Sequence, residues 1–242
     1  MAKILISAGE ASGDIHAAAV TAALKRIDST TEVFGMGGDE LRAAGGEVLF
    51  DIKDHGVMGF VEVIKKLPDL FKLRREFARV MDERKPDCLV VVDYPGFNMK
   101  LAKLAHDKGI PVVSYIAPSA WAWNKGRAKN VAKIVDKVAC IFPFEYDVYK
   151  EAGAPVEFVG HPLVDIVHPT MERAEAEAWV GKVPGRPLVL LMPGSRLMEI
   201  ERMLDVILEG AKLLKKQMPE VQFAVGDWAN WEEFRRLEEL GL

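Results

Sequence analysis

The run Lys3-Ile4-Leu5-Ile6-Ser7-Ala8 passes directly into Gly9-Glu10-Ala11-Ser12-Gly13-Asp14, and this junction constrains the fold more than any other stretch of the chain. Ile4, Leu5 and Ile6 form an unbroken apolar run, which predicts a strand covered on both faces, as in a parallel sheet between helical layers. Ser12 to Lys25, rich in Ala17, Ala18, Ala19, Ala22 and Ala23, predicts the helix that follows. In a β-loop-α unit the ligand approaches the carboxyl end of the strand, where glycine admits it closely and the helix N-terminus offers free N–H groups. Gly9, Glu10, Ser12 and Gly13 occupy that position as candidate substrate contacts. Gly9 and Gly13 stand four apart, and Gly35-Met36-Gly37-Gly38-Asp39-Glu40 lacks a third glycine, so neither fits the G-x-G-x-x-G spacing of a dinucleotide loop. A nicotinamide cofactor is therefore disfavoured. Glu10 reads equally well as a solvated loop acid or as a substrate-site acid.

The alternation continues. Glu32 to Gly35 predicts a strand and Gly37 to Ala44 a short helix closed by Gly45-Gly46. Val57 to Lys85 interleaves apolar residues with Lys65, Lys66, Lys72, Arg74, Arg75 and Arg79, and Pro68 is placed to start a helix within it. Such a basic amphipathic stretch suits an anionic membrane surface, but core packing is the preferred reading. Pro86 to Val92 is a buried strand delivering Asp93-Tyr94-Pro95-Gly96-Phe97-Asn98 at its carboxyl end. Further strands are predicted at Pro111 to Tyr115, Lys137 to Phe142 and Val156 to Val159. Helices are predicted from Met99 to Lys108, from about Lys125, and from Phe144 to Glu151. The fold class is α/β, with a doubly wound parallel sheet.

Gly160-His161-Pro162 and a Pro-rich stretch then mark a boundary. The expected division is a first domain over 1–165, a linker over 166–187 and a second domain over 188–242. In the second, strand Leu188 to Met192, loop Pro193-Gly194-Ser195-Arg196, helix Glu199 to Gln217 and strand Val221 to Val225 restart the pattern. There is room for about two β-α units after Pro184, where a doubly wound domain uses about five strands, so the second Rossmann-like domain is expected to be incomplete in this chain.

Composition narrows the partners. A net charge of −4 and a pI near 5.8 give no general attraction to nucleic acid. Neither a leader-type segment nor a spanning apolar run is found, so a cytoplasmic location is expected. Cys88 and Cys140 lie in apolar runs and predict buried thiols rather than a disulfide. The five scattered histidines give no ligand spacing, and no metal or cofactor is expected.

Asp93 is the candidate general base, a carboxylate at a strand's carboxyl end on a loop stiffened by Pro95 and followed by Gly96. The same residues also suit a plain turn. Arg196 follows Gly194-Ser195 into a helix, so N–H groups and a guanidinium could converge on a diphosphate. The alternative is a surface pair with Glu199, which lies in the same loop-to-helix segment. Trp121 and Trp123 could stack on a sugar, shield an acyl chain or simply pack. His161 is either a cleft hydrogen-bonding group or part of a structural turn.

Ser7 to Asp14, Asp93 to Asn98, Pro118-Ser119-Ala120-Trp121-Ala122-Trp123, Gly160 to Pro162 and Pro193 to Arg196 together closely resemble the lipid-A-disaccharide synthases, in order, from Lys3 to about Val225. The resemblance implies a GT-B-type, metal-independent, inverting glycosyltransferase. It would join UDP-diacylglucosamine to lipid X and release UDP at the inner surface of the cytoplasmic membrane by peripheral contact. It implies Asp93 as base, Glu10 as a catalytic-site acid, and Gly9, Ser12, Asn98, Trp123 and His161 as substrate contacts. Gly194, Ser195, Arg196 and Glu199 would form the UDP site, and a homodimer is left open. A UDP-sugar epimerase of like architecture and a non-catalytic nucleotide-sugar-binding fragment are the rival readings.

Overall fold

A computed structural model describes residues 1–55, 67–119, 126–194 and 197–226. Two compact units, Met1–Val167 and His168–Leu242, divide the chain. The first runs β1 (Lys3–Ala8), α1 (Ala11–Ile27), β2 (Glu32–Gly37), α2 (Asp39–Ala43), β3 (Glu47–Asp51), α3 (Ile52–His55) and α4 (Leu67–Arg84). It continues through β4 (Cys88–Val92), α5 (Pro95–Asp107), β5 (Val112–Tyr115), α6 (Gly126–Val131), β6 (Lys137–Cys140), α7 (Pro143–Glu151), β7 (Val156–Phe158) and α8 (Leu163–Ile166). The second unit holds α9 (Arg173–Trp179), β8 (Leu188–Leu191), α10 (Leu197–Gln217) and β9 (Gln222–Val225).

Seven parallel strands form the first sheet, in the order β3-β2-β1-β4-β5-β6-β7. The period-two alternation of strand side chains sends each apolar run to two cores at once. Leu5, Leu89 and Val91 join Phe77 and Met81 of α4, Leu101 of α5 and Tyr149 of α7 on one face. Ile4, Ile6, Val90 and Val92 join Ala17 of α1 and Leu41 of α2 on the other. Beyond α1 this second face forms the floor of a largely apolar groove of about 1,010 Å³, running from Val90 and Val113 to Phe142 and His161.

The doubly wound reading holds, with local differences. β3 lacks a strong signal because its apolar run is only Val48 to Phe50, bounded by the charged Glu47 and Asp51. Glu47 pairs with Arg84 at 2.7 Å and Asp51 with Arg42, as suits an edge strand. Helix α5 starts at Pro95 rather than Met99, since a proline at the first helical position loses no hydrogen bond. Gly96, Phe97 and Asn98 are therefore helical rather than looped. The stretch expected as a linker, 166–187, carries α9, and Gln222 of β9 ties it down by accepting from the Val183 N–H at 2.7 Å and donating to the Gly181 carbonyl at 3.1 Å. Cys140 is buried as expected, whereas Cys88 is only partly so, and both thiols are free. Burial pushes the Cys88 thiol up to about 11.

Helix α4 turns Leu73, Phe77, Val80 and Met81 into the core, the packing preferred for that stretch. The rest of the expected amphipathic segment, 57–66, lies outside the described residues, as do Trp121, Trp123, Ser195 and Arg196. No helix among the described residues is long and apolar enough to cross a membrane. In the second unit β8 pairs in parallel with β9, and α10 lays Ile200, Leu204 and Leu208, spaced four apart, against Val225.

Candidate functional site

Strand order reverses between β1 and β4, so the connections leaving their carboxyl ends diverge and open a crevice there. Gly9 and Glu10 leave β1 at this point, and Asp93 and Tyr94 leave β4. Both of the latter adopt left-handed backbone, with φ of 45° and 48°. Side chains with a Cβ rarely adopt this conformation, at a cost of about 1–3 kcal/mol each, so the surroundings must hold them there. The Asp93 N–H donates to the Tyr115 carbonyl at 3.1 Å, and the Tyr94 carbonyl accepts from the Asn98 N–H at 3.0 Å. The Asn98 side-chain amide donates to the carbonyls of Asp93 at 2.8 Å, Val92 at 3.1 Å and Ser7 at 3.1 Å, and its Oδ1 accepts from the Ser7 hydroxyl at 2.7 Å.

Asn98 is therefore not a substrate contact. It is fully buried, its polar atoms are all engaged within the protein, and it acts by positioning Asp93. Gly9 also differs from the expectation that it admits a ligand. A Cβ there would overlap the Tyr94 ring, so the close approach is made by that ring. Glu10 begins α1 as its N-cap residue without a side-chain cap bond, and lies near enough that its charge, after burial, raises the Tyr94 hydroxyl pKa. Ser12 is exposed in the first turn of α1. Asp14, beside it, is buried, accepting from the N–H groups of Gly38 at 2.7 Å, Glu40 at 3.0 Å and Leu41 at 3.2 Å. It caps α2 from a neighbouring helix.

Sequence reasoning missed His16. Its only signal was spacing, four residues past Ser12 and so on the same helical face. His16 meets Tyr115 edge-on with ring centroids 6.2 Å apart, and its Nδ1 is buried without a hydrogen-bond partner. Burial lowers its pKa, the charge of His161 lowers it further, and the carboxylate of Asp93 opposes both. His161 packs on Phe142 with ring centroids 5.0 Å apart, and its Nδ1 accepts from the Leu163 N–H at 3.2 Å, so it caps α8 as well as facing this edge. Asp93, Glu10, His161 and His16 thus gather at the carboxyl edge of one sheet.

In the second unit Gly194 has φ of 138°, and a Cβ there would come within 2.7 Å of the Glu199 Cβ. Gly194 and Glu199 are therefore neighbours across the turn from β8 into α10.

A seven-stranded doubly wound sheet with polar side chains gathered at its switch point defines an α/β protein with a crevice between β1 and β4. Two solved structures share the fold. UDP-GlcNAc 2-epimerase from Neisseria meningitidis bound to UDP-GlcNAc matches with a TM-score of 0.67 at 14% identity, over 98% of this chain and 69% of its own. A putative UDP-N-acetylglucosamine 2-epimerase from Listeria monocytogenes gives 0.68 at 12%, over 100% and 66%. At such identity the likeness concerns fold alone. The chain itself belongs to the lipid-A-disaccharide synthetase family, which it matches over residues 4–239. It is 46% identical over 221 residues to the lipid-A-disaccharide synthase of Geobacter metallireducens, covering 91% of this chain and 58% of that protein. With the synthase of Myxococcus xanthus it shares 42% over 224 residues, covering 92% and 58%. The chain spans a little under three fifths of the length of these relatives.

Proposed function

We propose that the whole protein transfers 2,3-diacylglucosamine from UDP-2,3-diacylglucosamine to lipid X, forming the β-1,6-linked disaccharide precursor of lipid A and releasing UDP. The observation that carries the reading is Asp93, an exposed carboxylate pinned at the switch point of a family member. As the acceptor hydroxyl oxygen bonds to the anomeric carbon of the donor, the bond from that carbon to the UDP oxygen breaks. Asp93 takes the hydroxyl proton. Glu10 is the second acid at this edge, and Ser12, Trp123 and His161 complete the sugar contacts. Gly194, Ser195, Arg196 and Glu199 form the UDP site, where the Arg196 guanidinium and helix N–H groups offset the charge gathering on the diphosphate. Peripheral contact with the inner membrane surface and pairing with a second copy belong to the same reading.

In a protein carrying a complete second unit, Asp93→Asn is expected to lower disaccharide formation by about 10²- to 10⁴-fold while substrate affinity changes little. Turnover within a few-fold of the parent would reduce Asp93 to a turn residue. Conversion of a UDP-sugar without any lipid acceptor would favour the epimerase reading suggested by the shared fold.

A further inference from the structure

Asp93 and Tyr94 hold left-handed backbone side by side at the end of β4, and the hydrogen bonds that keep them there come from Tyr115, Phe97 and Asn98, in β5 and α5. Contact with the loop after β1 is made by the Tyr94 ring. A Cβ on Gly9 would fall within 2.6 Å of the ring's Cγ, Cδ1 and Cε1, whereas carbon atoms in ordinary contact keep about 3.5–4.0 Å apart. The glycine backbone therefore carries the ring directly.

The ring accounts for the glycine. Gly9 does not take left-handed φ, so its backbone admits any residue, and the three atoms nearest to an added Cβ all belong to Tyr94. The ring also packs on Phe97, with centroids 6.2 Å apart, and Phe97 packs on Phe77 at 5.9 Å, both of them buried. Tyr94 thus touches the core and the β1 loop at once. That loop has little slack: only Gly9 and Glu10 separate β1 from α1, the Glu10 carbonyl accepts from the Asp14 N–H at 2.9 Å, and Gly13 brings the first turn of α1 against Ala8.

We propose that Tyr94, seated on Gly9, is a positioning residue that holds Asp93 in register with the loop carrying Glu10. The consequence for sugar transfer rests on the transferase reading. The hold on Asp93 does not.

The test is amide exchange at Asp93, followed by NMR in the 242-residue chain, with the Val138 amide of β6 as a distant control. Gly9→Ala and Tyr94→Ala are each expected to speed exchange at Asp93 by about tenfold or more while Val138 keeps its protection, because local opening follows local contacts. Combining them should be no worse than Tyr94→Ala alone, since the added Cβ then meets no ring. Tyr94→Phe, which keeps the ring, is expected to match the parent. Parent-like exchange in both single variants, multiplied effects in the double variant, or a Phe variant as fast as the Ala variant would each overturn the proposal. If Gly9→Ala alone does not fold, folding of the double variant supports the clash, and its failure to fold overturns it. In a protein with a complete second unit, Gly9→Ala is expected to lower kcat by about 10²-fold with KM near that of the parent, the cost of a base displaced by about 1 Å. Turnover within a few-fold of the parent would overturn the positioning role. A parent that forms no disaccharide, with the exchange pattern intact, would count against the transferase reading alone.

Discussion

His16 places an imidazole beside the proposed base, and its environment makes it a reporter of that base. A histidine with a lowered folded-state pKa contributes nothing to stability well above 6.5, where both states are neutral, and becomes unfavourable as pH falls through that value. The midpoint of its ring-proton titration by NMR is expected below 6.5. Asp93→Asn should move it lower still by removing the opposing carboxylate, and His161→Gln should move it higher. A midpoint that ignores both substitutions would mean that the three side chains do not share one electrostatic environment. Asp93 itself is exposed, yet its backbone is tightly held, so the carboxylate can meet solvent or substrate while its origin stays fixed.

At the scale of elements, Asn98 joins β1, β4 and α5 through one side chain. Truncation to alanine would remove the acceptor of the buried Ser7 hydroxyl and the amide donor shared by the Ser7, Val92 and Asp93 carbonyls. Asn98→Ala is expected to cost about 2–4 kcal/mol, read from urea unfolding, since each unsatisfied buried group costs about 1–3 kcal/mol before relaxation. Ser7→Ala should then cost less in the Asn98→Ala background than in the parent, because the two share a bond. Strict additivity would contradict the cross-link. Asp14 plays the matching part between α1 and α2. Gly37 and Gly38 leave room for its carboxylate, since a Cβ on either would press within 3 Å of an Asp14 oxygen.

For the whole molecule, the two units differ in the means to resist opening. The first has strands buried on both faces, with Leu5, Leu89 and Val138 fully enclosed. Among its described residues the second packs Ile200, Leu204 and Leu208 over β8 and β9, and leaves Leu190, Met192, Val206 and Leu213 more than half exposed. Hydrogen exchange is expected to be slowest in β1, β4 and β5 and faster in β8, β9 and α10, because opening free energy follows local burial. Equal protection across both units would show that they open as one cooperative body.

The sequence by itself determined the α/β class, most strands and helices, and which loops leave the carboxyl ends of β1 and β4. Those features are written locally: an apolar run such as Leu89 to Val92 favours a strand covered on both faces, and the alanine-rich run after Ser12 favours a helix. That Asp93 and Glu10 stand at strand ends was legible because each directly follows an apolar run. The neighbours of these residues were decided only by tertiary structure. Ser7 and Asn98 lie 91 residues apart in sequence, and they meet because β1 and β4 are adjacent in the sheet. The same adjacency seats Tyr94 on Gly9, turns Asn98 from a presumed ligand contact into an internal strut, and brings His16 toward Asp93. Local periodicity specifies which face of a strand is apolar. Strand order specifies which side chains share a crevice, and it emerges from the packing of the whole sheet.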